Sequence, residues 1–415
     1  MVGRYDVAVV GGGLIGLATA RALLLQGVRS LVVLEAEDRI AAHQSGHNSG
    51  VIHSGLYYRP GSLKARLCAS GRESMYRFCE AEGIPYRRSG KLVVATAERE
   101  IAVLRELERR GRANGLEGLE YIGRERFREL EPEVDGIAAL WVREAGIVDY
   151  VRVAEALARI VRESGGEIRT SARVHAVKRR QGGLDVITSS GDVSASLLVN
   201  CAGLHSDRVA RLCGTDPGVR IVPFRGEYHE LVGAARGLIR NPIYPVPDPA
   251  LPFLGVHFTP TIDGRVEVGP NAVLAWKREG YRHRDVSLRD VAEVLTYGGF
   301  WRLARKYWLS GVAELARSLS KERLVRELQR LVPRVQATDL VPGPGKSGVR
   351  AQAVDANGKL VDDFVIVHGE RSVHVLNAPS PAATASLSIG AHVAQEVLAH
   401  LPPGVASPRS AMATS

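Results

Sequence analysis

The stretch "RYDVAVVGGGLIGLATARALLLQGVRSLVVLEAE", residues 4–37, decides the fold. Tyr5 to Val10 is a short β-branched run that stops at Gly11. Leu14 to Leu25 is a string of small and apolar helix formers, and Val28 to Leu34 is a second apolar run. Between strand and helix stands Gly11-x-Gly13-x-x-Gly16, and Glu35 closes the second strand nineteen positions after Gly16. The glycine spacing alone is weak evidence. Placed after a strand, at the mouth of a helix, with an acid at the end of the next strand, it predicts a dinucleotide-binding βαβ unit. Gly11 permits the tight turn, and Gly16 lets helix and strand pack closely. Gly13 lets a pyrophosphate approach the helix amino terminus at Leu14 and Ile15. Glu35, followed by Ala36, would accept hydrogen bonds from the adenosine ribose. An acid there favours FAD or NAD over NADP. The opening also imitates a secretory signal, but Asp6 inside the apolar run and the cofactor-spaced glycines argue against one.

A second stretch, "HQSGHNSGVIHSGLYYRPGSLKARLC" (43–68), carries three histidines and no acid. Three readings compete for it. His43 and His47 stand four apart, as helix-borne metal ligands do, with His53 as a third ligand. The small residues equally suit a loop whose backbone closely approaches a phosphate or flavin. The plainest reading is a solvated loop.

The chain has 415 residues, 45% hydrophobic and 24% charged, which is enough for two domains with sizeable cores. No apolar run reaches the roughly 18 residues of a spanning helix. Cys68, Cys79, Cys201 and Cys213 show neither a C-x-x-C pair nor metal spacing, and they read as thiols of a reducing cytoplasm. The net charge of +10 permits an acidic substrate, an anionic membrane or nucleic acid without choosing among them.

Further along, Leu63–Glu82, Glu98–Asn114 and Val151–Arg162 read as helices, and "GKLVVAT" (90–96) reads as a strand. "GGEIRTSARVHAVKRR" holds two short strands, and a hairpin then feeds a buried strand ending at Ala202-Gly203. Arg220–Gly269 is β-rich, Val286–Val332 is mostly helical, and the end runs strands, turn, helix. The pattern predicts a mixed α/β chain: a Rossmann-like dinucleotide domain plus a second lobe of antiparallel sheet and helices. The expected boundaries are 1–85, 150–215 and 345–401 for the first and 86–149 with 216–344 for the second. A disordered tail covers 402–415.

Four marks carry a family resemblance: "GGGLIG" with Glu35, "GHNSGVIHSG", "VNCAGLHSD" and "NAPSPAATASLSIGAHVAQEVL". With them the chain resembles the FAD-dependent oxidoreductases of the D-amino acid oxidase and glycerol-3-phosphate dehydrogenase class. "HNSGVIHSGLYYRPGSLKARLC", "FRGEYHEL", "GPNAVLAW" and "GVRAQAVDANGKLVDDFVI" are most similar to its L-2-hydroxyglutarate dehydrogenase/oxidase subfamily. The resemblance implies that Gln44, Ser45, His47, Asn48 and Ser49 contact FAD, with His53 near the reacting ring, and it leaves no role for a metal. It likewise implies that the Val174 backbone meets the adenine and that Ala202 and Gly203 border the cofactor. By the same resemblance, the turn Ser380, Pro381, Ala382, Ala383 and Thr384 would bring a helix terminus to the flavin pyrimidine. A helix dipole there would stabilise reduced flavin. That turn departs from the Gly-rich pattern of relatives at Pro381 and Ala382, and it lacks a cysteine, so the FAD is expected to be non-covalent.

Oxidising a 2-hydroxy acid requires a hydride path, a base and cations for the carboxylates. Arg350 in "SGVRAQ" resembles the family's G-x-R position and suits the C1 carboxylate, since its fork makes paired charge-assisted bonds. Lys64, Arg59, Arg225, Tyr57 and Tyr58 are candidates for the second carboxylate. His53 and His257 are candidates for the base. The expected reaction is L-2-hydroxyglutarate to 2-oxoglutarate, with quinone or oxygen as acceptor. Rivals are a glycerol-3-phosphate or amino-acid enzyme on the same scaffold, and an FAD-dependent RNA-binding protein. No RNA-binding signature supports the last, and no nucleic-acid partner is expected. Residues 284–334 mix basic side chains with Tyr297, Phe300, Trp301, Leu303, Tyr307, Trp308 and Leu309. Such a helix could form core, or could hold a cytoplasmic protein on the inner face of the membrane.

Overall fold

The computed structural model describes residues 3–249 and 254–401, and the tail 402–415 lies outside the described residues. The chain divides into two units, 1–46 with 150–222 and 351–415, and 47–149 with 223–350.

In the first unit the opening run forms strand Gly3–Val10, paired in parallel with Leu31–Leu34 on one side and Val193–Asn200 on the other. Val7–Val10 and Leu31–Leu34 are wholly buried, which is why both read as unbroken apolar runs rather than alternating ones. The eight-stranded sheet continues through the hairpin Val174–Arg180 and Gly183–Thr188 at one end and Glu167–Arg169 at the other. Ser372–Asn377 joins Val193–Asn200 in parallel. Helix Leu14–Leu25 is buried along most of its length. The closing helix Ser386–Leu398 lies so near that a Cβ on Gly390 would stand 2.6 Å from the Ala18 carbonyl carbon.

The second unit is built on a nine-stranded, mostly antiparallel sheet. Strand Lys91–Ala95 sits inside it, antiparallel to Ala138–Val142 and parallel to Ile243–Pro245. Side chains alternate across a strand. Leu92 and Val94 therefore enter one core with Ile243, Phe258, Val268 and Leu328. Val93 and Ala95 enter a core on the other face with Leu56, Leu104, Leu140 and Tyr244. Residues 286–332 form the helices Leu288–Leu295, Gly298–Leu319 and Lys321–Gln329, of which Ser287 and Ser320 cap the first and third.

The first division falls at Gly46, not near residue 85. Segment 47–85 is tied to the second unit by its own bonds. Val51–Ile52 pairs with Gly146–Val148, and the Tyr76 hydroxyl donates to the Glu144 carbonyl at 3.1 Å. The later crossings, at 222 and 350 against the expected 215 and 344, fall inside strands Val219–Leu231 and Leu340–Asp355, which run on from one unit into the other.

Candidate active site

In the first unit the glycine turn is built to tolerances that no side chain meets. Gly11 has φ +111°, and a Cβ there would lie 2.4 Å from the Cys201 carbonyl oxygen. One on Gly16 would lie 2.0 Å from the Gly11 carbonyl oxygen. Gly13 precedes helix Leu14–Leu25, whose first turn holds no acid. The Leu14 amide donates to Ser45 Oγ at 3.0 Å, so Ser45 comes to the helix amino terminus. Glu35 is buried, and its two carboxylate oxygens accept from the amides of Gly12 (2.7 Å) and Glu37 (2.9 Å). Each oxygen retains a lone pair for a ribose hydroxyl. A Cβ on Gly203 would stand 3.0 Å from Gln44 Oε1, and Ala202 Cα lies 3.4 Å from the Cβ position of Gly11. Val174 opens its strand opposite Thr188. The turn Ser380–Thr384 leads into the closing helix, with Thr384 buried and its hydroxyl 3.0 Å from that of Tyr150. A glycine cradle at a helix amino end, with an acid at the next strand, fits the pyrophosphate and ribose of a dinucleotide.

The metal reading of the histidine loop loses its geometry. Residues 40–46 form turns, not the helix that would align His43 with His47. His43 pairs with Glu37 at 3.2 Å. In the second unit His47 sets Nδ1 2.8 Å from the Ser347 carbonyl and stacks on Tyr281. Asn48 accepts from the Gly50 amide, and Ser49 lies between them, partly buried.

The second unit gathers His53, His257, Lys64 and Arg350. Burial lowers the pKa of His53 to about 3, helped by Lys91, His257 and Lys64. Burial likewise lowers His257 to about 3, helped by Arg350 and Lys91. Both imidazoles are therefore neutral at working pH. His257 Nδ1 lies 2.9 Å from the Gly255 carbonyl. That contact places the proton of the neutral ring on Nδ1 and leaves Nε2 as an acceptor. Burial also lowers the pKa of Arg350, which faces Tyr228 and Glu314. Lys64 is buried with its ammonium over the Tyr58 ring.

Two predicted residues stand apart. Arg59 is exposed. Arg225 is buried, but its guanidinium is committed to Glu227 at 2.9 Å, the Arg282 carbonyl and His283. The sequence reading missed Lys91, which is 1% exposed. Its ammonium lies 4.5 Å from the Tyr57 ring centroid and 4.8 Å from that of Tyr244. It also passed over Tyr244, which stacks on His257, and Tyr228 beside Arg350. The lone charge at the head of "KLVVA" was the available signal.

The family model described as FAD dependent oxidoreductase matches residues 6–396. The L-2-hydroxyglutarate dehydrogenase of Indibacter alkaliphilus is 47% identical over 95% of this chain and 99% of its own length. That of Escherichia coli strain K12 is 45% identical, over 95% and 93%. Among solved structures, the FAD-bound L-alpha-glycerophosphate oxidase of Mycoplasma pneumoniae superposes with a TM-score of 0.77 at 24% identity. That match covers 96% of this chain and 94% of the other. The chain belongs to the FAD-dependent oxidoreductase family whose model spans it from residue 6 to 396.

Proposed function

We propose that the protein oxidises L-2-hydroxyglutarate to 2-oxoglutarate. The observation that carries this reading is the 45–47% identity, over 95% of the chain, to L-2-hydroxyglutarate dehydrogenases. When bound, FAD supplies the acceptor for the hydride that leaves C2. Gly11, Gly13, Leu14, Ile15, Gly16, Glu35, Ala36, Gln44, Ser45, Ala202 and Gly203 would hold it in the first unit with Val174 and the Ser380–Thr384 turn. His47, Asn48 and Ser49 continue the loop in the second. Arg350 binds the C1 carboxylate through its fork. His257 Nε2 takes the hydroxyl proton as the C2–H bond breaks, so that the C2–O bond becomes the carbonyl. His53 is a second neutral imidazole that leaves the substrate's negative charge to the cations. Anaerobic bleaching of the flavin by a panel of 2-hydroxy acids, amino acids and glycerol-3-phosphate tests the assignment. Bleaching by an amino acid or glycerol-3-phosphate alone would replace it.

A specific surface supports delivery of the electrons to a membrane quinone. No described helix is long and apolar enough to cross a membrane. Yet helix Gly298–Leu319 exposes Trp301, Trp308, Leu309, Val312 and Leu315, each more than half exposed, beside exposed Arg302, Arg305 and Lys306. Of the aromatic and apolar residues expected there, only Leu303 is buried, while Tyr297, Phe300 and Tyr307 are partly covered. Bulky apolar groups with adjacent cations suit an anionic lipid surface. This helix supports a reading of peripheral attachment to the inner face of the cytoplasmic membrane, where quinone rather than oxygen would be the main acceptor.

A further inference from the structure

With Arg225 committed to Glu227 and Arg59 in solvent, Lys64, Tyr57 and Tyr58 remain of the partners expected for the distal carboxylate of the substrate. Lys91 is the residue whose surroundings demand an anion. It opens strand Lys91–Ala95 on the face that Val93 and Ala95 use for packing, opposite Val142. An apolar residue would complete that face. Buried lysines ordinarily appear with an acid beside them, because an uncompensated charge is costly to remove from water. Among the described residues no ion pair or hydrogen bond to an acid forms at Lys91. It is held between two aromatic faces, Tyr57 and Tyr244.

A second observation points the same way. The Tyr57 hydroxyl oxygen is buried and has no hydrogen-bond partner. It belongs to the ring over which the Lys91 ammonium sits, and its backbone is fixed. Arg110 donates to the Tyr57 carbonyl at 2.9 Å, and Asn114 donates to the carbonyls of Gly55 and Tyr58. A fixed, unsatisfied hydroxyl beside an unpaired ammonium is a pair of donors waiting for an acceptor.

The order of neighbours gives the direction. Arg350 acts most strongly of the cations on His257, and Lys91 follows; on His53 the strongest is Lys91. Tyr244 lies between His257 and Lys91, stacked on the first at 3.9 Å and under the ammonium of the second. A guanidinium and an ammonium that both act on His257 suit a chain with a carboxylate at each end and a hydroxyl next to one of them. The remaining titratable groups facing Lys91 are Cys68, kept as a thiol by burial, and Lys64, which adds positive charge.

We propose that the Lys91 ammonium and the Tyr57 hydroxyl bind the carboxylate remote from the oxidised carbon and thereby select dicarboxylates. This rests on the hydroxy-dicarboxylate reading above. The test uses the FAD-loaded enzyme and its Lys91→Met variant. L-2-hydroxyglutarate is compared with L-2-hydroxypentanoate, which has the same carbon chain without the second carboxylate. In parallel, binding of glutarate is measured by calorimetry, and melting is followed without ligand. The ratio of kcat/KM for the two substrates should fall at least about 30-fold in the variant, mainly through KM. Glutarate binding should be lost, and the unliganded variant should melt no lower than the wild type. An equal loss with both substrates, or an unchanged ratio, would overturn the proposal. So would retained glutarate binding. A wild type that binds glutarate through Lys91 but leaves hydroxyglutarate unoxidised would instead overturn only the reaction assigned above.

Discussion

The imidazole of His257 lies flat on the ring of Tyr244, with centroids 3.9 Å apart and planes inclined by 15°. The stack and the Gly255 carbonyl together orient Nε2. A residue that moves a proton in the transition state should act on kcat more than on KM. His257→Gln is expected to lower kcat by about 10²–10⁴-fold, the usual range for a lost general base, with KM changed little. The acid limb of kcat/KM should also lie well below 6.5, since burial holds the free-enzyme imidazole at about 3. A wild-type kcat in the variant would move the base to His53.

Arg350 carries a planar fork that lysine does not reproduce. Arg350→Lys and Arg350→Ala should each lower kcat/KM by at least about 2 kcal/mol equivalent, the scale of a charge-assisted contact. Steady-state kinetics decide this, and wild-type values would remove Arg350 from the site.

Lys91 links stability to pH with a definite sign. Burial lowers its pKa to about 7, against 10.5 for the free side chain. Below pH 7 both folded and unfolded chains carry the proton, and the folded chain bears the full penalty of a buried charge. Between the two values only the unfolded chain is protonated, so stability rises with pH. The melting temperature of Lys91→Met should therefore exceed that of the wild type by more at pH 6 than at pH 9. Equal gaps at both pH values would contradict the buried, unpaired ammonium.

Gly16 has no room for a methyl group, since the nearest atom is the backbone oxygen of Gly11 at 2.0 Å from the Cβ position. At Gly13 the obstacle is only Ser45 Oγ, a side-chain end that can turn away. Gly16→Ala should lose flavin and soluble yield, while Gly13→Ala should stay folded with weakened FAD affinity. Flavin absorbance per protein reads both. Acid precipitation of the wild type should leave all flavin in the supernatant.

The exposed helix predicts salt-sensitive binding to vesicles that contain anionic lipid, and weak binding to zwitterionic ones. Replacing Trp301, Trp308 and Leu309 with serine should abolish co-sedimentation without lowering turnover with a soluble acceptor. Absence of binding at low salt, with oxygen turnover equal to that of a quinone analogue, would leave oxygen as the acceptor.

Legibility followed the range of the interactions. The glycine turn and Glu35 lie within one βαβ unit, so spacing along the chain reports their spacing in space. Helix Leu14–Leu25 falls at the predicted residues for the same reason. Lys91 was passed over because "GKLVVAT" reads as an ordinary strand in which only its leading charge stands out. Its burial is decided by Tyr57 and Tyr244, far away in sequence. The partner of Arg225 was equally hidden: nothing in "FRGEYHEL" shows that the acid two residues on, Glu227, takes its guanidinium. The boundary at Gly46 depends on strand partners about a hundred residues away, at Gly146–Val148. Periodicity does not encode such pairings.

The most direct measurement mixes the FAD-loaded enzyme with either enantiomer of 2-hydroxyglutarate under anaerobic conditions and follows the flavin absorbance. The L form should bleach it within the time of a turnover and yield one 2-oxoglutarate per flavin, while the D form leaves it yellow. Bleaching by neither enantiomer, or by the D form alone, would contradict the account.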